Sequence, residues 1–248
     1  MPGLNRHTGN RTLASTEKKT LSIDVGGSGI KGMVLNPDGN PENDKVRIRT
    51  PRPATPSAVL ETICRVAEQQ PEYDRISIGF PGVVEFGITR TAPNLDSDWS
   101  GFPLAAEVER AAGKPCRAGN DADVQGYGAI EGRGVEMVLT LGTGMGSAVF
   151  TNGHLAPNLE LGHHPFSRKR TYEEMLCQAA RKRIGKKKWN QRVQRAVNLI
   201  LPIWNPRRLY LGGGNAEKLT FQLPEQVRIV SNDAGILGGI RLWEDEVH

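Results

Sequence analysis

Cysteine is scarce in this 248-residue chain: Cys64, Cys116 and Cys177 are the only three. They lie far apart and are odd in number. They form neither a disulfide framework nor a C-x-x-C metal site, and a reducing, cytoplasmic setting is expected. Long apolar runs are also lacking. No stretch approaches the ~20 residues that cross a bilayer, and the first residues have no apolar core of the signal-peptide kind. Acid is missing from one place in particular. Between Arg168 and Arg195 only Glu173 and Glu174 stand against 11 Lys or Arg. That segment carries +9, so the remainder of a chain with net charge +5 stands at −4. A block of this kind suits a polyanion: nucleic acid, an acidic membrane surface or polyphosphate. A basic run on a helix is usually a solvated face, but here no Glu at i±4 offsets the like charges, which weakens that reading. With 38% hydrophobic and 24% charged residues, the rest of the composition is that of a soluble globular protein. The length allows one large domain or two small ones around a cleft.

Residues 1–19 are polar and aperiodic and are expected to be a disordered leader. Leu21 to Val25 alternates as a strand, runs into Gly26-Gly27-Ser28-Gly29, and a second extended run from Ile30 to Leu35 follows. The pattern predicts a β-hairpin bent around a glycine-rich loop. Helical spacing marks 57–69 and 103–112, and Ile76 to Phe80 reads as a strand. Met137 to Leu141, then Gly142-Thr143-Gly144-Met145-Gly146, then Ser147 to Phe150 repeats the first unit. Two copies about half a chain apart predict an internally duplicated α/β architecture. Residues 171–201 read as mostly helical, Arg208 to Leu211 as a strand ending in Gly212-Gly213-Gly214, and the stretch from Asn232 to Trp243 as a closing helix.

Several of these places can carry chemistry. Glycines let backbone N–H groups converge on a phosphate oxygen, so Gly26, Gly27, Ser28 and Gly29 can bind phosphate. Asp24 at the strand end is placed to hold Mg²⁺, directly or through water, and Lys31 to add positive charge. A tight hairpin alone would explain the same residues. The second loop adds the Thr143 hydroxyl to Gly142, Gly144 and Gly146, and two facing hairpins can clamp a phosphate chain. Gly212, Gly213 and Gly214 suit either a nucleotide or close packing. Asp121 can accept the proton of an attacking hydroxyl, and Asn120 can both donate to and accept from sugar hydroxyls. Helix capping by Asn120 or Asp121 is compatible with both roles. Glu160 with His163, and Asn94 with Asp96 beside Trp99, can bind further hydroxyls; a surface loop and an Asx turn are the plain alternatives. Arg181, Lys182, Arg183, Lys186, Lys187 and Lys188 form a candidate track for a long polyanion. Trp189 within that block is either a stacking platform or a core residue.

Taken together, the segments 24–32, Phe80-Pro81-Gly82-Val83-Val84, Ala92-Pro93-Asn94-Leu95-Asp96 with Trp99, Asn120-Asp121-Ala122-Asp123, 141–146, 157–163 and Leu211-Gly212-Gly213-Gly214 resemble the ROK family of sugar kinases, within it the polyphosphate-dependent glucokinases. The resemblance runs from about residue 20 to the end. It implies an actin-like, ribonuclease H-like fold with two α/β domains closing on a cleft. These would be a smaller one over 20–119, joined by a C-terminal helix at 235–246, and a larger one over 120–234. It implies that Asp121 is the base at the sugar 6-hydroxyl, that Asn94, Asn120, Glu160 and His163 hold the sugar, and that Asp24 and the glycine loops hold phosphate and Mg²⁺. Many members carry a cysteine-rich zinc motif after the Gly-His pair. Here Gly162-His163 is followed by His164-Pro165-Phe166-Ser167, so no structural zinc is expected. In polyphosphate-type relatives a Glu soon after that His helps bind the sugar. Here Pro165-Phe166 stands in its place, with Glu173 and Glu174 further on.

The leading expectation is transfer of a phosphoryl group from polyphosphate, with ATP as a second donor, to the 6-hydroxyl of glucose. The alternatives are a strictly ATP-dependent glucokinase, a kinase of mannose or N-acetylmannosamine, and a non-catalytic sugar-responsive regulator. The last would need a DNA-binding module, for which 19 residues ahead of the first strand are too few, and nucleic acid is the less favoured partner. The resemblance also implies a homodimer.

Overall fold

The computed structural model describes residues 18–93, 95–96, 98–156, 159–231 and 234–244. Most of the expected leader, and Asn94 and Asn158 of the expected sugar motifs, lie outside the described residues. In chain order the elements are β1 (Thr20–Gly26), β2 (Gly29–Leu35), β3 (Val46–Ile48), α1 (Pro56–Ala67), β4 (Arg75–Phe80), β5 (Val84–Glu85), β6 (Ile88–Thr89), α2 (Leu104–Ala112), β7 (Cys116–Asn120) and α3 (Asp121–Tyr127). They continue with β8 (Val135–Leu141), β9 (Met145–Thr151), β10 (His154–Ala156), β11 (Pro165–Ser167), β12 (Arg170–Thr171), α4 (Tyr172–Leu176), α5 (Gln178–Ile184), α6 (Lys186–Trp204), β13 (Arg208–Gly212), β14 (Val227–Ile229) and α7 (Ala234–Leu237). A 3-10 stretch, Gly238–Trp243, follows α7.

Two five-stranded sheets have one topology. The first is ordered β3-β2-β1-β4-β7 and the second β10-β9-β8-β13-β14. In each, the first three strands in the row pair antiparallel and the last two join in parallel. The repeat expected from the two glycine-punctuated hairpins is therefore a repeat of the whole sheet, and the arrangement is that of the actin-like fold.

Alternation along β1 explains how the first sheet is covered. Leu21, Ile23 and Val25 are fully buried and pack in one apolar cluster with Val59, Ile63 and Val66 of α1. The opposite face carries Ser22, which is buried, as is Ser77 on β4, and this face receives the end of the chain. Ser77 Oγ donates to Gly239 O at 2.6 Å and accepts from Trp243 Nε1 at 2.8 Å. The Trp243 ring lies between the guanidiniums of Arg75 and Arg117, each 4.9 Å from its centroid. Arg117 also donates to Leu242 O at 2.6 Å.

The joint between the halves is α3. It leaves β7 directly, and Gly126 lies against the Phe150 ring of β9. Its C-terminal end meets α7 so closely that a Cβ on Gly238 would lie 1.8 Å from Val124 O, and one on Gly128 2.1 Å from Ala234 O. The closing helix expected from Asn232 onwards is thus one short α-turn followed by 3-10 structure, with Asn232 and Asp233 outside the described residues. The long basic helix is likewise broken. Cys177 ends α4 in an extended conformation, and Gly185, at φ 80°, separates α5 from α6. Trp189 is fully buried, and its Nε1 donates to Leu176 O at 2.8 Å, so the core reading holds.

Candidate active site

The two glycine turns face one cleft of about 500 Å³ between the sheets. Gly26, Gly27, Ser28 and Gly29 line it from β1–β2, and Gly142, Thr143, Gly144 and Gly146 from β8–β9. Both turns have carbonyls tied by hydrogen bonds. In the first, Gly26 O accepts from Thr50 Oγ, Gly27 O from Arg52 Nη2 at 3.0 Å, and Ser28 O from Arg47 Nη2 at 3.1 Å. In the second, Gly142 O accepts from Gln178 N at 2.9 Å and from Asn215 Nδ2 at 3.2 Å. Because the peptide unit is planar and trans, fixing a carbonyl on one side aims the next N–H to the other.

Asp121 lines the cleft as the first residue of α3. Burial, then the nearby Asp24 carboxylate, with a smaller push from Glu160, raises its pKa to about 7. A carboxylate poised there can accept a proton near neutral pH. Asn120 caps the helix through Oδ1, which accepts from Ala122 N at 2.8 Å, and its Nδ2 donates to Gly82 O at 3.0 Å. One N–H and one lone pair of this amide remain for a ligand. Asp123 faces away from the cleft and is nearly fully buried; burial, with the Asp121 and Glu160 charges, holds its pKa well above the carboxylate range. Asp24 accepts from Lys31 Nζ at 2.9 Å, and both line the cleft. Lys31 is thus charge-balanced by Asp24 rather than a bare cation.

Glu160 and His163 reach the cleft on the far side. Burial raises the pKa of Glu160, with His163 opposing and Glu173 adding to the shift. Glu173, left outside the sugar set by sequence position, lines the same wall, and its Oε2 accepts from Met145 N at 3.1 Å. The β11–β12 hairpin lies between His163 and α4, and Glu173, ten residues after His163, lines the same cleft. Asp96 is used differently from the expectation that it binds hydroxyls. Its Oδ2 accepts from Arg52 Nη1 at 2.6 Å and from Ala54 N at 3.3 Å, and these two contacts hold its carboxyl below the usual range. Of the glycine triplet, Gly213 and Gly214 line the cleft, whereas Gly212 packs against the Gln125 side chain.

The basic block divides. Arg181 alone of its six candidates lines the cleft, its Nε fixed on Asn215 Oδ1 at 3.0 Å. Lys182, Arg183, Lys186, Lys187 and Lys188 are exposed on α5 and the start of α6, without a carboxylate partner among the described residues. Lys218 also lines the cleft, although nothing in its sequence neighbourhood marks it. Buried Asn190 donates from Nδ2 to Lys186 O at 2.9 Å and to Lys218 O at 3.2 Å. The start of α6 is thereby held beside the cleft mouth. Gln125, Gln178 and Asn215 are further lining residues that sequence reasoning missed. Its place directly after the glycine triplet is the one sequence signal that could have flagged Asn215.

A model of the ROK family matches residues 20–181. The polyphosphate glucokinase of Mycobacterium tuberculosis (strain ATCC 25618 / H37Rv) is 36% identical over 245 residues, covering 91% of this chain and 91% of that protein. Among solved structures, the inorganic polyphosphate/ATP-glucomannokinase from Arthrobacter sp. strain KM superposes with a TM-score of 0.82 at 30% identity, over 90% of this chain and 97% of that one. The ROK family glucokinase from Streptomyces griseus, in complex with glucose and AMPPNP, superposes with a TM-score of 0.73 at 19% identity over 90% and 98% of the two chains, a likeness of fold. The chain belongs to the ROK family.

Proposed function

We propose that the protein transfers a phosphoryl group from inorganic polyphosphate, and from ATP, to the 6-hydroxyl of glucose, giving glucose 6-phosphate. The observation that carries this is the Asp121 carboxylate, with its pKa raised to about 7, on the floor of a cleft walled by two glycine turns. Asp121 takes the hydroxyl proton as the oxygen attacks phosphorus. The N–H groups of the turns not already bonded within the protein, with the Arg181 guanidinium, receive the charge on the phosphoryl oxygens. Glu160, His163, Glu173 and the free valences of Asn120 orient the sugar, and Asn94 is carried over from the family motif. Asn94, Asn120, Glu160 and His163 hold the ring while in-line geometry is set by the facing loops.

Mg²⁺ fits this donor set. No group of three or more His, Cys, Asp or Glu able to hold a metal exists among the described residues. Mg²⁺ commonly takes one or two carboxylates, with waters and substrate phosphates completing its shell. Asp24, with one oxygen on Lys31 and the other left, would hold it, and it would neutralise charge on the phosphates. A cytoplasmic setting and a homodimer complete the reading. Three free cysteines suit the first, and the second is carried over from the family. No helix of the described residues is long and apolar enough to cross a membrane.

The donor assay decides the reading. Glucose with Mg²⁺ and either long-chain polyphosphate or ATP is expected to yield glucose 6-phosphate; silence with both donors overturns it. Gly213 and Gly214 in the cleft keep a nucleotide donor in view, and turnover with ATP alone would mark the strictly ATP-dependent form. Replacing Lys186, Lys187 and Lys188 by Gln is expected to raise KM for long polyphosphate on the order of tenfold, about 1.4 kcal/mol, while ATP is little affected. Equal effects on both donors remove the track. Glu173→Gln keeps an acceptor for Met145 N but loses the charge. It is expected to raise the glucose KM about tenfold with the donor KM unchanged. An unaltered glucose KM takes Glu173 out of the sugar site.

A further inference from the structure

Arg52 touches two loops that no sequence pattern joins. Its Nη2 donates to Gly27 O at 3.0 Å in the first glycine turn, and its Nη1 to Asp96 Oδ2 at 2.6 Å. Asp96 stands two residues after Asn94 and three before Trp99. That loop is itself anchored to the residues just after Arg52, through Ala54 N on Asp96 and Trp99 Nε1 on Ala54 O at 3.1 Å. Trp99 is buried, 4.9 Å from the Phe80 ring, so the loop has a rigid end. Gly26 to Gly29 line the cleft and Arg52 does not, so the guanidinium holds the turn from its outer side. By peptide planarity, its bond to Gly27 O turns the Ser28 N–H toward the cleft, as the Thr50 bond to Gly26 O turns that of Gly27. The planar fork reaches both acceptors at once, which a lysine ammonium on a flexible stem cannot do with the same geometry.

We propose that Arg52 is a positioning residue that ties Asp96, three residues after the cleft-lining Pro93, to the phosphate-binding turn, so that a sugar in the cleft tightens the grip of the turn on the donor. The proposal rests on the kinase reading for which loop meets sugar and which meets phosphate. It does not rest on stability. The Arg52 and Asp96 side chains are 61% and 43% exposed, and exposed ion pairs contribute little to folding. Such a pair serves as a geometric link between two sites, and coupling between sites is measured as a change in one ligand's affinity on adding the other.

The test is calorimetric titration of tripolyphosphate into the full chain, with and without saturating glucose, for the wild type, Arg52→Met, Arg52→Lys and Asp96→Asn. Glucose is expected to tighten tripolyphosphate binding by on the order of fivefold or more in the wild type. In Arg52→Met and Asp96→Asn that factor falls to about one, with the melting temperature within a few degrees of the wild type. Arg52→Lys keeps the charge and is expected to recover less than half of the effect on a logarithmic scale. The double variant Arg52→Met with Asp96→Asn loses no more coupling than either single change, because one link is broken once. A wild type without coupling, or an Arg52→Met variant that keeps it, overturns the proposal. A kinase reading that fails shows itself separately, as a wild type silent in the donor assay.

Discussion

Replacing Asp121 by asparagine is expected to lower kcat by on the order of 10²–10⁴-fold with the fold intact, the range that loss of a positioned general base removes. Asparagine has the same shape and leaves the Asn120 cap in place, but it cannot take the hydroxyl proton. Retention of more than about a tenth of the wild-type kcat would end the assignment, since a tenfold loss corresponds to only about 1.4 kcal/mol. The pH dependence carries a second signature of the same carboxylate. Its folded pKa is about 7, raised by burial and then by Asp24. The wild-type kcat should therefore climb as pH rises through about 7, because the base must be ionised to act. Stability moves the other way. A carboxyl whose pKa is raised on folding binds its proton more tightly in the native than in the unfolded chain. Its contribution to stability is fully present below the unfolded carboxyl pKa of 3.8 and is lost progressively as pH rises from there through about 7. Asp121→Asn should flatten that slope, measured as urea midpoints between about pH 4 and 7.

The second large effect lies at the joint between the halves. Gly238→Ala places a methyl group 1.8 Å from Val124 O and 2.7 Å from Gly128 N. Both are backbone atoms of the α3 end and have no rotamer by which to move aside. Overpacking of this kind costs about 3 kcal/mol, or roughly 10 °C in melting temperature for a chain of this size. Gly235→Ala, three residues earlier, meets nothing closer than Gln125 Cβ at 3.8 Å, an ordinary contact. It should leave the melt within about 2 °C of the wild type, since an alanine inside a helix is favoured over glycine. Equal melts for Gly238→Ala and Gly235→Ala would mean that α3 and α7 are not in such close contact in solution.

Legibility of this molecule in its sequence follows the range of each interaction. The duplicated hairpins were readable because glycine clusters interrupt alternating strands at the same place in both copies, and Asp121 because it follows a strand and opens a helix. The order of the remaining strands was not, because β4, β7, β13 and β14 join their sheets only through crossovers. Residues 171–201 read as one helical stretch because their apolar spacing persists. Cys177 and Gly185 break it by backbone conformation, which periodicity does not record. Glu173 was readable as a carboxylate but not as a cleft residue, because the β11–β12 hairpin sets its distance from His163 in space. The link from Arg52 to Asp96 spans 44 residues, and the neighbourhood of Lys186 and Lys218 depends on one buried amide, Asn190. Neither follows from local pattern. Trp189 shows the converse: a plausible ligand platform by composition, and core by packing.

The seat of Trp243 between Arg75 and Arg117 has a consequence for synthesis. The first sheet is encoded by residues 20–120, yet one of its faces is covered by Gly239 and Trp243, from the other end of the chain. Domains ordinarily fold in order as they leave the ribosome. Here that face of the earliest sheet is covered only once the second sheet and the chain through Trp243 have been made. A chain cut short before Trp243 would lack the residues that close its opening sheet.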